Sequence, residues 1–146
     1  MNREEDLLQQ IMRVASIGRD FFVEMRTRVK DAEIAAAFEY ISDVKNRFLL
    51  DLTPWVPGGR SVANHHVSPA ASAERIYVDL KRSFDGSAPQ LSAGLLDIGE
   101  QQLMRLVERA FESAKSPVLR NLLKAHYPAL VVCREAMTRL SARKVA

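Results

Sequence analysis

The chain is predicted to be all-α, a bundle of four long helices. Three observations predict it. Four long segments repeat apolar residues at helical spacing. No segment sustains the apolar–polar alternation of a strand. Glycine and proline are sparse and cluster at three breaks: Pro54-Trp55-Val56-Pro57-Gly58-Gly59, Asp85-Gly86-Ser87-Ala88-Pro89 and Ser116-Pro117. The spacing of those breaks makes residues 1–146 one domain: a hairpin over about 4–53, a connector over about 54–89 and a second hairpin over about 90–143. The long connector permits a crossover between the hairpins, which is the ferritin-like arrangement of a four-helix bundle.

The first helix is expected over about 4–28, with Glu4, Glu5 and Asp6 favourably placed at the positive end of its dipole. Its apolar face carries Leu7, Leu8, Ile11, Ala15, Gly18, Phe22, Met25 and Val29. The second is expected over about 32–53 behind Asp31 as N-cap, with Ile34, Ala37, Phe38, Ile41, Val44, Phe48, Leu52 and Trp55 facing inward. A short extra helix lies in the connector, over about 71–84, with Ser68 or Ser72 near its start. The third long helix spans about 90–114 and buries Leu96, Leu103, Val107, Ala110, Phe111 and Ala114. The fourth spans about 117–143 behind Ser116 as N-cap, with Pro117 at the first helical position, where its missing N–H costs nothing. Leu119, Leu122, Leu123, Leu130, Cys133, Met137 and Leu140 form its inner face, and Pro128 interrupts its backbone bonding.

Composition excludes several classes. At 146 residues and 47% apolar, the chain can bury a core of ordinary size. No apolar run is long enough for a membrane span, and the acidic start is unlike a signal or transit peptide. A single cysteine, Cys133, excludes a disulfide scaffold, so the expected compartment is the cytoplasm. Net charge is +3, but residues 117–146 hold six basic side chains against Glu135 alone. Such a segment attracts polyanions. Without a nucleic-acid-binding motif, the simpler account is cations offsetting a helix C-terminus, and nucleic acid is not an expected partner.

Several runs resemble a known family. Gly99-Glu100-Gln101-Gln102-Leu103 opens the third helix, Pro117-Val118-Leu119-Arg120-Asn121-Leu122-Leu123 opens the fourth, and Tyr127 follows. Together with Ile17-Gly18-Arg19-Asp20-Phe21-Phe22 and Arg47-Phe48, these are similar to the bacterial ferritin-like family called domain of unknown function 2383. The resemblance implies a four-helix bundle, self-association and no established activity.

A di-iron bundle needs inward carboxylates on two helices and Glu-x-x-His on the other two. The residues three before His65, His66 and His126 are Val62, Ala63 and Leu123, so the motif is missing. On the first helix, Asp20 and Glu24 point away from the apolar stripe, at roughly 100° of turn per residue. No metal centre, cofactor or catalytic residue is therefore expected, and Glu100 with His126 is the weak candidate pair for a single metal. Three polar residues nevertheless occupy stripe centres: Lys45 on the second helix, Glu100 on the third and His126 on the fourth. One reading is a buried polar seam in which an ammonium takes the place of a metal, because a buried carboxylate needs a cation. The other is a set of half-exposed boundary positions, with Lys45 snorkelling outward. His65 and His66 lie adjacent in the connector, where they either scavenge a transition metal or are simply solvated. Cys133, on an apolar stripe with no base beside it, reads as a small hydrophobe.

The function expected from these residues is a non-enzymatic bundle that self-associates, as a homodimer or larger, or docks a protein partner. The alternative is a ferritin-like metal or redox protein with a degenerate centre. Adjacent Phe21 and Phe22 argue for association, since one bundle face cannot bury both and Phe21 would fall on an exposed flank.

Overall fold

The computed structural model describes residues 3–56, 69–83 and 89–142, and all regular structure among them is helical. The helices are α1 (Arg3–Met25), α2 (Ala32–Leu52), α3 (Pro69–Ser83), α4 (Pro89–Ser113) and α5 (Pro117–Ala142), with one 3-10 turn at Thr53–Trp55. No helix is long and apolar enough to cross a membrane. His65, His66, Gly58, Gly59, Val62 and Val67 lie outside the described residues.

Local chemistry sets the helix ends. α1 stops at Met25, whose carbonyl accepts from both Arg28 N at 2.9 Å and Val29 N at 3.0 Å. That tight turn delivers Asp31, whose carboxylate accepts from Glu33 N at 2.8 Å and Ile34 N at 3.2 Å and so caps α2. At the other hairpin, Ser116 Oγ accepts from Leu119 N at 3.3 Å, and Arg120 donates to the Ala114 carbonyl at 2.8 Å. The arginine thus satisfies an acceptor at the C-terminal end of α4. α5 runs helically through Pro128.

Side-chain pairs give the directions. α1 and α2 are antiparallel across their short turn, and so are α4 and α5: Asp97 meets Arg134 near one end while Glu108 meets Tyr127 nearer the other. Glu4, at the start of α1, accepts from Lys115 N just beyond the end of α4, so α1 and α4 are also antiparallel. α3 pairs Glu74 with Arg13 and Lys81 with Glu24, and therefore runs parallel to α1. α2 and α4 consequently point the same way, and α3 carries the chain back between them. It packs into the groove between α1 and α4, whereas α2 also packs against α5.

This placement corrects several expectations about burial. Phe21 is only 2% exposed, not a flanking residue, because α3 covers that flank and sets Tyr77 against it, ring centroids 5.5 Å apart. Phe22 is fully buried beside it, edge-on to Phe38 at 5.1 Å. The argument for association from an exposed Phe21 therefore fails. Trp55 is only half-buried, and its neighbour Val56 enters the core instead. Phe111 and Leu122 are half-buried as well.

Truncating Phe21 to alanine should cost about 3–5 kcal/mol, the range for a buried phenylalanine. Urea denaturation checks this; a loss near that of a surface substitution, about 0.5 kcal/mol or less, would mean α3 does not cover the ring.

Candidate functional site

The polar centre forms where α1, α2, α3 and α4 approach midway along the molecule, with Cys133 of α5 beside it. Lys45 Nζ donates to Glu100 Oε2 at 2.8 Å, with the two side chains 1% and 0% exposed. The four-carbon stem of Lys45 crosses the core from α2 to α4. Its ammonium also lies 6.0 Å from the centroid of the Phe22 ring, at the outer edge of a cation–π contact. Tyr77 on α3 donates its hydroxyl to the other carboxylate oxygen, Oε1, at 3.3 Å. Both oxygens of Glu100 are thus engaged inside the protein.

Tyr77 is 1% exposed, and its room is made by two helical glycines. A Cβ on Gly99 would stand 2.9 Å from Tyr77 Oη, and one on Gly18 would stand 3.3 Å from both the Tyr77 ring and Lys45 Cε. Glycine inside a helix costs about 1 kcal/mol relative to alanine, so these positions trade helix propensity for close approach. Tyr77 is the site residue that the sequence reading missed, and Gly18 and Gly99 were the available signal.

Electrostatics keep the remaining groups neutral. Burial, then the charge of Glu100 and the hydrogen bond to it, push the Tyr77 phenol well above its ordinary range. Burial pushes the Cys133 thiol up to about 12; the Lys45 ammonium opposes that rise and the Glu100 carboxylate adds to it. A thiol held in that state is a poor nucleophile.

His126 does not join this centre. Its ring packs on Phe48, centroids 5.1 Å apart, and its Nε2 lies 2.8 Å from Asp51 Oδ2. The side chain is 18% exposed. The reason is where α2 ends: Asp51 is its penultimate residue, so the centre of the α5 stripe reaches a rim rather than a covered core at this level. Glu100 and His126 are therefore not a ligand pair. Among the described residues, no three His, Cys, Asp or Glu side chains converge as metal ligands do. On α1, Glu24 turns to Lys81, and Asp20 is exposed beside Arg19.

A groove of about 580 Å³ opens between α4 and α5, remote from the centre, and Val107, Phe111, Leu123 and Pro128 make its lining mostly apolar. Tyr127 donates to Glu108 at its side, a bond that raises the Tyr127 pKa. Of the basic residues on α5, Arg134 is paired with Asp97 at 3.3 Å and Arg120 is committed to the end of α4.

Comparison of the chain with family models, with curated proteins and with solved structures finds no match.

Three outcomes are expected from this geometry. Removing either Lys45 or Glu100 alone strands a buried charge and should cost about 3–5 kcal/mol, whereas replacing both by methionine and leucine should cost far less than the two losses summed. A double-mutant cycle read by denaturation measures this, and coupling near zero would contradict the buried pair. Gly99→Ala should destabilise by about 1–3 kcal/mol through overpacking, and combining it with Tyr77→Phe should recover part of the loss, because the nearest clash is with the hydroxyl. Finally, the Cys133 and Tyr77 values are raised, so the folded state holds its protons while the unfolded chain gives them up. Stability should therefore be intact below about pH 9 and fall as pH rises toward 12, and Cys133→Ala should flatten part of that alkaline slope.

Proposed function

We propose that this chain is a ferritin-like four-helix bundle in which an ion pair stands where a metal centre would, and that it acts as a non-enzymatic module that self-associates or docks a partner. One observation carries the reading: the carboxylate of Glu100 is held on one oxygen by Lys45 and on the other by Tyr77, with no solvent exposure. A carboxylate so engaged has neither a metal-binding partner nor a path to substrate. The helix directions add support, since α3 returns the chain so that α2 and α4 run parallel, as a crossover bundle requires. So does the resemblance of the Gly99-Glu100 pair and the Pro117–Leu123 run to the ferritin-like family of unknown function.

The alternative of a degenerate metal or redox centre needs Glu100 free to coordinate and His126 beside it. The pairing of His126 with Asp51 weighs against that reading. A polyanion-binding role is weakened in the same way, because Arg120 and Arg134 are already engaged.

Elemental analysis tests the proposal. Protein purified without a histidine tag, then incubated with ferrous or manganous salt and desalted, should retain well under one equivalent of metal. Two tightly held equivalents, with the absorption of an oxo-bridged pair, would overturn it. The self-association half is read separately, as a solution mass above the 16.4 kDa of one chain.

A further inference from the structure

We infer that the groove between α4 and α5 is a binding site for a small molecule of one class: a neutral aromatic ring system that donates one N–H or O–H hydrogen bond to the Lys124 carbonyl. The inference stands apart from self-association and needs no second copy.

The groove has the size and the floor of a ligand site. Its volume, about 580 Å³, falls in the range of small-molecule sites, roughly 300–1,000 Å³. Val107 of α4 and Leu123 of α5 form the floor, and both are buried. Phe111 on the α4 side and Tyr127 on the α5 side line it and are half-buried. A third ring placed there packs offset or edge-on against them, the arrangements aromatic groups prefer. A rigid ring system also loses less freedom on binding than a flexible chain.

Charge decides against an ionised ligand. Glu108 and Glu112 line the α4 side and Lys124 the α5 side, and all three are exposed. The Arg120 guanidinium lies 5.7 Å from the Phe111 centroid. The rim therefore carries two charges of each sign, Glu108 and Glu112 against Lys124 and Arg120. An ammonium ligand meets the two cations, and a carboxylate ligand meets the two carboxylates. A neutral molecule meets neither penalty.

The hydrogen-bonding groups fix what the ligand carries. The Tyr127 hydroxyl gives its proton to Glu108, and Arg120 donates to the Ala114 carbonyl, so these donors are taken. A backbone acceptor is left over. Pro128 has no N–H to return to the Lys124 carbonyl one turn earlier, and both residues line the groove. Pro69, Pro89 and Pro117 begin their helices, where a missing N–H leaves no carbonyl short. Pro128 lies inside α5 and does unpair an acceptor, at the groove wall. A carbonyl held in a helix is an acceptor fixed in place, which selects a ligand with a donor in one position.

Titration of the nitrogen-15-labelled full chain with indole and with N-methylindole, which has no N–H, tests this through amide chemical shifts. Both probes should saturably shift residues 107–112 and 123–127, because they share the floor. Pro128→Ala gives the Lys124 carbonyl its helical donor back. It should lower the preference for indole over N-methylindole about fivefold, the worth of one hydrogen bond, while the melting temperature does not fall. The extra methyl group of the second probe is common to both proteins and cancels in that ratio. A preference that Pro128→Ala leaves unchanged overturns the carbonyl contact. Tryptamine or indole-3-acetate held about tenfold more tightly than indole overturns the neutral class. Indole shifts that never saturate, or that fall elsewhere on the chain, overturn the site itself. Self-association is read by solution mass and is untouched by any of these results.

Discussion

An ammonium and a carboxylate buried together constrain the rest of this molecule. Neither Lys45 nor Glu100 is tolerable in an apolar core without the other, because the desolvation of each charge exceeds what packing alone returns. Their 2.8 Å contact joins α2 to α4 and holds the two parallel helices in one register. A purely hydrophobic core would allow small slips between those helices; a charge pair at its middle penalises them.

The pair also explains the fifth helix. Lys45 engages one carboxylate oxygen of Glu100, and the second still needs a donor. Tyr77 supplies it from α3, which lies between α1 and α4 and also buries Ala73 and Leu80 there. The Lys81–Glu24 pair is roughly half exposed on both sides, and such pairs add little. Tyr77 in turn requires Gly18 and Gly99, since a methyl group at either would press on the ring. Four residues on four helices, Gly18, Lys45, Tyr77 and Gly99, thus answer to the one carboxylate of Glu100.

The same arrangement makes the centre chemically quiet. Glutamate, lysine, tyrosine and cysteine together are reactive residue types, but here each is neutralised by a neighbour or by burial. Glu100 is bonded twice, Lys45 is paired, and Tyr77 and Cys133 keep their protons.

Helical periodicity alone determined the number and approximate limits of the long helices, because amphipathic spacing and caps such as Asp31 and Ser116 are local properties. It also singled out Lys45 and Glu100, since a charge at the centre of an apolar stripe is conspicuous without knowing what faces it. Tertiary structure alone decided what those stripe centres meet. His126 has the same spacing as Lys45 and Glu100, yet it lies at a rim because α2 ends at its level. Phe21 looks like a surface residue on one helix and is buried because a helix distant in sequence lies across it. Tyr77, in a short segment that read as a connector, completes the polar centre. Periodicity states which face of a helix is apolar; burial depends on whether another element continues past that face, and that is a property of the whole chain.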